Sequence, residues 1–196
     1  MFRGYGGRPA SAGGALGMSA RHVLVLGGQR SGKSCYAEGL VQASGRAPVY
    51  LATATAGDGE MAERIARHRS RRGEAWRTVE EPLELAGALG AAATPASALL
   101  VDCLTLWLAN LMAAGRDPAA ETDRLLAALD EAAAPVVLVS NEVGSGIIPA
   151  NALARRYADA QGILNQQVAG AVGQVVLVAA GIPSLIKPAA PPQVIL

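Results

Sequence analysis

The sequence is poor in aromatic residues, cysteine and lysine, and it contains no long apolar run. Aromatic residues make up 4% of its 196 residues, whereas hydrophobic residues make up 51%. The core must therefore consist mainly of Ala, Val, Leu and Ile, which suits a sheet whose buried strands are covered by helices on both faces. No apolar run reaches the roughly 18 residues that a membrane-spanning helix needs. A chain of this length predicts a single domain.

Charge and cysteine usage exclude further classes of protein. With 17 basic and 16 acidic residues the net charge is +1, so the composition indicates neither a nucleic-acid partner nor a membrane surface. Cys35 and Cys103 lack the spacing of zinc ligands or of a disulfide framework. We interpret both as reduced packing residues of a cytoplasmic protein.

Both ends of the chain are predicted to lie outside the folded domain, which spans residues 21–187. Residues 1–20 are basic and rich in glycine without the apolar centre of a signal peptide, which indicates a disordered extension, with Met18 as an alternative start. Residues 188–196 are rich in proline and are predicted to form an extended tail.

Short apolar segments alternate with longer helical ones along the domain. Strands are predicted at residues 22–26, 48–52, 98–101, 135–140 and 174–179. Helices are predicted at residues 33–43, 59–71, 83–92, 104–114, 118–133 and 151–172. This alternation predicts a three-layer α/β/α fold with a mostly parallel sheet and right-handed crossovers. Because such sheets bind ligands beyond the carboxyl ends of their strands, the residues after each strand form the candidate site.

A glycine-rich segment, GGQRSGKS at residues 27–34, matches the phosphate-binding pattern G-x-x-x-x-G-K-[ST] between a predicted strand and a predicted helix. Gly27 and Gly32 allow a tight turn and close approach of the backbone to phosphate oxygens, and the helix N-terminus adds partial positive charge. Lys33, one of two lysines beside 15 arginines, is predicted to reach the β- and γ-phosphates. The Ser34 hydroxyl is predicted to bind Mg²⁺. We therefore expect a P-loop fold that binds a nucleoside triphosphate.

Polar residues also end two other strands. Asp102 ends the strand LLVD, where a carboxylate positions Mg²⁺ or a nucleotide; a strand-terminal Asp is also a common cap for the following helix. Asn141 and Glu142 begin the loop that runs to Pro149. They are placed to meet the nucleotide or the acceptor, and they equally fit a turn whose glycines adopt positive φ and whose glutamate is structural.

An arginine-rich segment, EMAERIARHRSRRGEAWRT at residues 60–78, surrounds His68. Met61, Ile65 and His68 have helical spacing, which fits a half-buried histidine on a basic amphipathic helix. Alternatively, the guanidinium groups lower the pKa of His68 and collect phosphate oxygens, which would make the neutral imidazole a competent nucleophile. From the residues alone both interpretations stay open. The arginines are Arg64, Arg67, Arg69, Arg71, Arg72 and Arg77.

Taken together, these motifs resemble the bifunctional adenosylcobinamide kinase / adenosylcobinamide-phosphate guanylyltransferases of cobalamin biosynthesis. The resemblance runs from about residue 23 to about residue 187 and is carried by GGQRSGKS, VYLATA, DGEMAERIARHRSRRGEAWRTVEEP, LLVDCLTLWLANLM and VSNEVGSGIIPANALARRYAD. It implies a homotrimer that phosphorylates the aminopropanol hydroxyl of adenosylcobinamide with ATP or GTP. It also implies transfer of GMP from GTP, through a guanylyl-histidine, to adenosylcobinamide phosphate, giving adenosylcobinamide-GDP.

The resemblance assigns roles to individual residues. The nucleophile falls on His68, with Lys33 as the second catalytic residue, and Ser34 and Asp102 are the implied Mg²⁺ ligands. Asp102 stands where some members have Glu, which keeps the carboxylate and shortens its reach. Glu80 is implied to accept hydrogen bonds from a guanine or ribose edge. The implied nucleotide contacts are Gly27, Gly28, Gln29, Arg30, Ser31, Gly32, Lys33, Ser34, Ala52, Thr53, Ala54, Arg69, Ser70, Arg71, Arg72, Glu80 and Asp102.

Two other functions fit parts of the sequence. One is a small-molecule kinase that retains the glycine loop without guanylyl transfer, and His68 separates it from the bifunctional enzyme because only guanylyl transfer needs a nucleophilic histidine. The other is a non-catalytic nucleotide-binding module whose trimer is the function. Turnover of ATP with a corrinoid acceptor separates that module from both enzymes.

Overall fold

The computed structural model describes residues 21–54, 73 and 75–188, which form seven strands and five helices. The strands are β1 (Val23–Gly27), β2 (Ala47–Ala52), β3 (Arg77–Glu80), β4 (Ser97–Asp102), β5 (Val136–Asn141), β6 (Gln174–Ala179) and β7 (Ile182–Lys187). The helices are α1 (Lys33–Ala43), α2 (Leu85–Ala92), α3 (Leu104–Ala113), α4 (Pro118–Glu131) and α5 (Ala152–Ala171). The helix predicted at residues 59–71 and the segments 1–20 and 189–196 lie outside the described residues.

A single sheet contains all seven strands, in the order β3-β2-β4-β5-β1-β6-β7. Neighbouring strands are parallel except β6 and β7, which are antiparallel, so the prediction of a mostly parallel sheet is confirmed. β1 lies between β5 and β6. The glycine loop therefore emerges from the interior of the carboxyl edge of the sheet, where ligands bind in folds of this kind.

Both outer strands, β3 and β7, were missing from the sequence prediction. β3 has four residues, RTVE, with exposed charged residues at both ends and only its two central residues partly buried. β7 contains Pro183 and is mostly exposed, and proline is tolerated in an edge strand because one side of that strand needs no partner. Short or polar edge strands lack the apolar run by which buried strands are recognised.

The helices cover both faces of the sheet. On one face, α1 contributes Ala37 and Val41 to a cluster with the strand residues Val25, Leu100 and Val139. On the other face, α2, α3, α4 and α5 supply a larger cluster, whose helical members include Leu85, Leu89, Leu104, Trp107, Leu108, Leu111, Leu125, Leu129, Leu164 and Val168. Successive strand residues alternate between the two clusters, as side chains do across a pleated sheet. The predicted three-layer α/β/α architecture is confirmed.

The two cysteines are both free thiols in different environments. Cys103 is buried and belongs to the cluster on the α1 face. Cys35 is exposed on the first turn of α1, so the prediction of a packing role is confirmed for Cys103 and wrong for Cys35. None of the helices within the described ranges is long and apolar enough to cross a bilayer.

Lys187, the second lysine of the chain, closes the end of α5. Its Nζ donates to the carbonyl oxygens of Ala169 at 2.7 Å, Gly170 at 3.2 Å and Val172 at 2.6 Å. Carbonyl groups at the end of a helix have no intrahelical partner and carry partial negative charge. Lys187 is therefore a structural residue, which leaves Lys33 as the lysine at the carboxyl edge of the sheet.

Candidate active site

The glycine loop joins β1 to α1 in a closed turn. The N–H of Ser31 donates to the carbonyl of Gly28 at 3.3 Å, and the N–H of Tyr36 donates to the carbonyl of Gly32 at 3.0 Å. Arg30 and Gly32 have positive φ angles of 57° and 97°, and Gly32 is the N-cap residue of α1. The N-terminus of α1, which carries partial positive charge, therefore faces the loop, and this is the arrangement that binds phosphate.

Gly27 is required by packing as well as by the motif. A Cβ at this position would lie 2.4 Å from Ser31 Oγ and 2.5 Å from the carbonyl oxygen of Val178. Gly28, the next residue, has open space in the same position. The steric demand for glycine at the start of the loop is therefore specific to Gly27.

The turn between β6 and β7 supports the loop from the other side. The N–H of Gly181 donates to the carbonyl of Ser31 at 2.8 Å, and a Cβ on Gly32 would lie 3.2 Å from Gly181 Cα. Gly181 follows β6, so it is among the residues after a strand that the sequence predicts to form the candidate site. The structure shows that Gly181 contacts the glycine loop, and contact of this turn with a ligand stays a prediction.

Lys33 lies across the mouth of the loop. Its side chain is buried, and its Nζ donates to the carbonyl of Gly28 at 3.2 Å. A buried lysine is rare in proteins unless its ammonium group is paired. The loop therefore holds a positive charge in place where phosphate oxygens would arrive.

Three predicted contact residues lie side by side at the carboxyl edge of the sheet. Ala52, the last residue of β2, is in register with Glu80 of β3 on one side and with Asp102 of β4 on the other. Asp102 is partly buried and Glu80 is exposed. Parallel pairing thus brings together residues that are up to 50 positions apart in the sequence.

The carboxylate of Asp102 is held by a tyrosine that sequence reasoning missed. The hydroxyl of Tyr50 donates to Asp102 Oδ2 at 3.1 Å, and the Tyr50 ring packs edge-on against Trp76 with ring centroids 6.3 Å apart. Tyr50 precedes Ala52 by two residues in β2, so period-two alternation could have placed it on the same face as Asp102. The N-cap residue of α3 is Cys103, without a side-chain hydrogen bond, so the alternative in which Asp102 caps this helix is wrong.

Thr53 ties the end of β2 to the end of β4. Its Oγ1 accepts from the N–H of Cys103 at 2.9 Å and donates to the carbonyl of Cys103 at 2.7 Å. Its N–H donates to the carbonyl of Asp102 at 3.4 Å, and its carbonyl accepts from Asn110 Nδ2 at 2.8 Å. Both donors of Thr53 are therefore engaged within the protein, and Thr53 fixes the backbone beside Asp102. Its contact with nucleotide stays a prediction.

Oxygen donors suited to Mg²⁺ are present at this edge. Ser34, on the first turn of α1, offers a hydroxyl, and Asp102 offers a carboxylate. Among residues 21–54, 73 and 75–188, no group of three or more His, Cys, Asp or Glu side chains could hold a metal ion. Mg²⁺ is commonly held by one or two protein oxygen ligands together with substrate phosphates and water. The residues present fit this mode of binding.

The loop after β5 begins beside the glycine loop. Asn141, the last residue of β5, is in register with Gly27, and the N–H of Glu142 donates to the carbonyl of Gly27 at 3.2 Å. Glu142 Oε1 accepts from the N–H of Gly144 at 2.7 Å, so the interpretation of Glu142 as a turn residue is confirmed. Gly144 and Gly146 do not adopt positive φ angles, so that part of the same interpretation is wrong.

The structure describes one of the two histidines of the chain, His22. His68 lies outside the described residues, as do Arg69, Ser70, Arg71 and Arg72. His22 is 1% exposed at the amino end of β1, where its Nδ1 accepts from the N–H of Val136 at 3.1 Å. Burial lowers the pKa of His22. His22 therefore belongs to the core at the edge of the sheet opposite to the glycine loop.

These features define the class of the protein as a P-loop α/β protein that binds nucleoside triphosphates. The features are a glycine loop at a central parallel strand, a buried lysine at the start of the next helix and a carboxylate on a nearby strand. The crystal structure of the RadB recombinase agrees with this fold. It superposes with a TM-score of 0.50 over 82% of this chain and 76% of the RadB chain, at 16% identity.

Comparison with known proteins identifies the family within this class. The model of the cobinamide kinase / cobinamide phosphate guanyltransferase family matches residues 23–186. The bifunctional adenosylcobalamin biosynthesis protein CobP of Pseudomonas aeruginosa is 50% identical over 167 residues, which cover 84% of this chain and 96% of CobP. The bifunctional adenosylcobalamin biosynthesis protein CobU of Escherichia coli is 42% identical over 180 residues, which cover 84% of this chain and 99% of CobU.

The chain therefore belongs to the cobinamide kinase / cobinamide phosphate guanyltransferase family. The resemblance found in the sequence is confirmed, and so is the expectation of a kinase and guanylyltransferase of cobalamin biosynthesis.

Proposed function

We propose that this chain phosphorylates adenosylcobinamide with ATP or GTP and then transfers GMP from GTP, through a covalent intermediate on His68, to adenosylcobinamide phosphate. The observation that carries the proposal is the convergence of the glycine loop, buried Lys33 and Asp102 on one edge of the sheet in a chain that belongs to this family.

In the kinase step, the glycine loop and Lys33 bind the phosphates of the triphosphate. The acceptor hydroxyl oxygen attacks the γ-phosphorus, the bond to the oxygen bridging the β- and γ-phosphates breaks, and the nucleoside diphosphate leaves. The loop amides and the ammonium of Lys33 neutralise charge on the phosphate oxygens in the transition state, where preorganised donors contribute most. Ser34 and Asp102 would hold Mg²⁺, which supplies further positive charge at the phosphates.

In the guanylyl step, a nitrogen of His68 attacks the α-phosphorus of GTP and pyrophosphate leaves, so the histidine carries GMP as a phosphoramidate. A phosphate oxygen of the corrinoid then attacks the same phosphorus and the histidine leaves, which is favourable once its imidazole is protonated. Arg69, Arg71 and Arg72 would bind the phosphate oxygens through planar donor groups. Glu80, exposed at the carboxyl edge, is placed to accept from guanine or ribose.

The histidine pair makes the covalent step directly testable. The chain contains two histidines, and His22 is buried at the opposite edge of the sheet. Intact-mass measurement after incubation with GTP and Mg²⁺, without corrinoid, should show addition of one GMP. The adduct should be acid-labile, map to His68, persist in His22→Asn and vanish in His68→Asn.

Kinase activity of the two variants separates the alternatives. If His68→Asn still phosphorylates adenosylcobinamide and wild-type protein never carries GMP, the chain is a kinase without the guanylyl step. If ATP binds and no variant or wild-type protein phosphorylates a corrinoid, the chain is a nucleotide-binding module and both proposed reactions are rejected.

We also propose, from the family resemblance, that the protein is a cytoplasmic homotrimer. Light scattering coupled to size-exclusion chromatography gives the mass in solution, and a mass of one or two chains would reject the trimer. Cell fractionation tests the location.

A further inference from the structure

One polar atom beside the glycine loop has no role in the interactions described so far. The side-chain oxygen Oδ1 of Asn141 is buried and has no hydrogen-bond partner within the part of the chain that the structure describes. Buried polar groups in native proteins are almost always hydrogen-bonded, because leaving one unpaired costs free energy. An unpaired acceptor at the edge where ligands bind therefore indicates a donor that arrives with the substrates.

The sheet places Asn141 between the two main parts of the candidate site, the glycine loop and Asp102. Asn141 is in register with Gly27 at the start of the glycine loop, and β5 lies between β1 and β4, which ends at Asp102. Val139 packs in the cluster on the α1 face. Because strand side chains alternate between faces, Asn141 lies on the α1 face as well, with the glycine loop.

The backbone of Asn141 is clamped from both sides. Its N–H donates to Thr105 Oγ1 at 2.8 Å, and its carbonyl accepts from Asn165 Nδ2 at 3.1 Å. A group held in this way is preorganised for binding, because the protein has ordered it before the substrate arrives.

A buried hydrogen-bond network on the opposite face of the sheet holds the Asn165 side chain in position. Asn165 Oδ1 accepts from Ser140 Oγ at 2.7 Å and from Gln161 Nε2 at 3.0 Å. Gln161 Nε2 also donates to Ser140 Oγ at 2.9 Å. These side chains are fully or nearly fully buried, so the network specifies the position of the end of β5, from which the Asn141 side chain extends.

We propose that the Asn141 side-chain oxygen accepts a hydrogen bond from the acceptor hydroxyl of the kinase reaction and orients that hydroxyl toward the γ-phosphorus. The choice of ligand follows from chemistry: phosphate oxygens are acceptors, whereas the alcohol that attacks is a donor that reaches this edge of the sheet in the kinase step. The amide is a positioning group and too weak a base to take the proton, which passes to solvent as the phosphate ester forms. This proposal rests on the proposed kinase function.

The experiment compares two reactions in the same variants. Adenosylcobinamide phosphate already carries its phosphate and does not offer this hydroxyl, so guanylyl transfer should not need Asn141. For Asn141→Ala, and for Asn141→Leu, which fills the space without a hydrogen bond, kcat/KM for adenosylcobinamide should fall about tenfold or more relative to wild type. This is the fall expected when a hydrogen bond and the orientation it provides are lost. Guanylyl transfer from GTP to adenosylcobinamide phosphate, and binding of a non-hydrolysable ATP analogue, should change by less than about twofold, which is below the loss expected from one hydrogen bond.

The outcomes are separable. Gln174→Ala removes an exposed amide at the amino end of β6 and serves as the matched control, which should leave both reactions unchanged. If Asn141→Leu keeps the kinase activity that Asn141→Ala loses, Asn141 has a packing role. If guanylyl transfer or affinity for the ATP analogue falls as much as kinase activity, Asn141 contacts the nucleotide or supports the fold. Either result overturns the proposal. Unchanged kinase activity in both variants overturns it as well. Absence of adenosylcobinamide phosphorylation in wild-type protein would instead reject the proposed function.

Discussion

The N–H of Gly181 donates to the carbonyl of Ser31 at 2.8 Å, so the turn between β6 and β7 is attached directly to the glycine loop. Ala180 and Gly181 have φ angles of 51° and 81°, and positive φ at both central residues is what a type I′ hairpin turn requires. The antiparallel edge of the sheet thus contributes to the geometry of the glycine loop, which the motif alone does not show.

This turn predicts stability changes of opposite sign at adjacent residues. Gly181→Ala should lower the free energy of unfolding by about 1–2 kcal/mol, because a Cβ disfavours the left-handed region and no atom lies within 4 Å to compensate or clash. Ala180→Asn should raise it by about 0.5–1 kcal/mol, because Asn tolerates positive φ better than Ala. Urea denaturation measures both changes. Gly90→Ala, within α2, is the control for glycine replacement and should be stabilising; destabilisation in all three variants would contradict the argument.

Gly27 and Gly28 form a matched pair within the loop. Gly27→Ala should lower the free energy of unfolding by about 1–3 kcal/mol, as overpacking does, because the new Cβ meets the backbone carbonyl of Val178 at 2.5 Å. Gly28→Ala should leave the stability of the ligand-free protein nearly unchanged, since its Cβ would have open space. Thermal and urea unfolding of the two variants without nucleotide measures both changes. Equal losses of unfolding free energy at the two positions would mean that glycine is needed for its conformational freedom and not for the space it leaves.

His22 predicts loss of stability as the pH falls. Burial lowers the pKa of His22 in the folded protein, so the unfolded chain takes up a proton near its ordinary pKa of about 6.5 while the folded chain resists it. The free energy of unfolding should therefore decline as the pH drops through about 6.5.

A substituted histidine isolates this effect. His22→Asn keeps an acceptor for the Val136 N–H and removes the titrating ring, so the difference in unfolding free energy between wild type and variant should shift in favour of the variant between about pH 7.5 and 5.5. A difference that does not depend on pH would show that His22 is not responsible. His68 is present in both proteins and cancels in the comparison.

The two thiols should react at very different rates. Burial, followed by the nearby Asp102 charge, raises the pKa of Cys103 to about 11, and only the thiolate reacts with alkylating reagents. Iodoacetamide should therefore modify the exposed Cys35 in the native protein and Cys103 only after denaturation. Peptide mapping by mass spectrometry identifies which cysteine is modified. In the matched variant Cys35→Ser, Cys103 is the cysteine that remains, and its fast labelling in the native protein would contradict the burial of the end of β4.

Most of the fold could be predicted from the sequence because of its apolar runs and the positions of its glycines. The five buried strands and the described helices lie within about two residues of their predicted positions, because continuous apolar strands between helical segments leave few other arrangements. β3 and β7 were missed because an edge strand needs only one neighbour and tolerates charged residues or proline.

Part of the candidate site could also be predicted from the sequence, because its chemistry requires particular residue types at fixed spacings. The glycine loop, Lys33, Ser34 and Asp102 follow patterns in which each residue type is demanded by phosphate or metal chemistry. The period-two alternation of β2 indicates only which face of the sheet Tyr50 occupies. The contacts of Tyr50 with Asp102 and of Gly181 with Ser31 depend on strand order and on the turn between β6 and β7, which residue patterns within one segment do not give.

By itself, the sequence determined the class of fold, the phosphate-binding loop and the family, because these depend on local residue patterns along the chain. The tertiary structure alone decided that Ala52, Glu80 and Asp102 share one row and that the β6–β7 turn contacts the glycine loop. It also placed the buried Asn141 Oδ1, which has no hydrogen-bond partner among the described residues, on the strand next to Gly27. The physical reason is that strand order and register bring distant residues into contact, and burial then decides which of their polar atoms are left to bind a substrate.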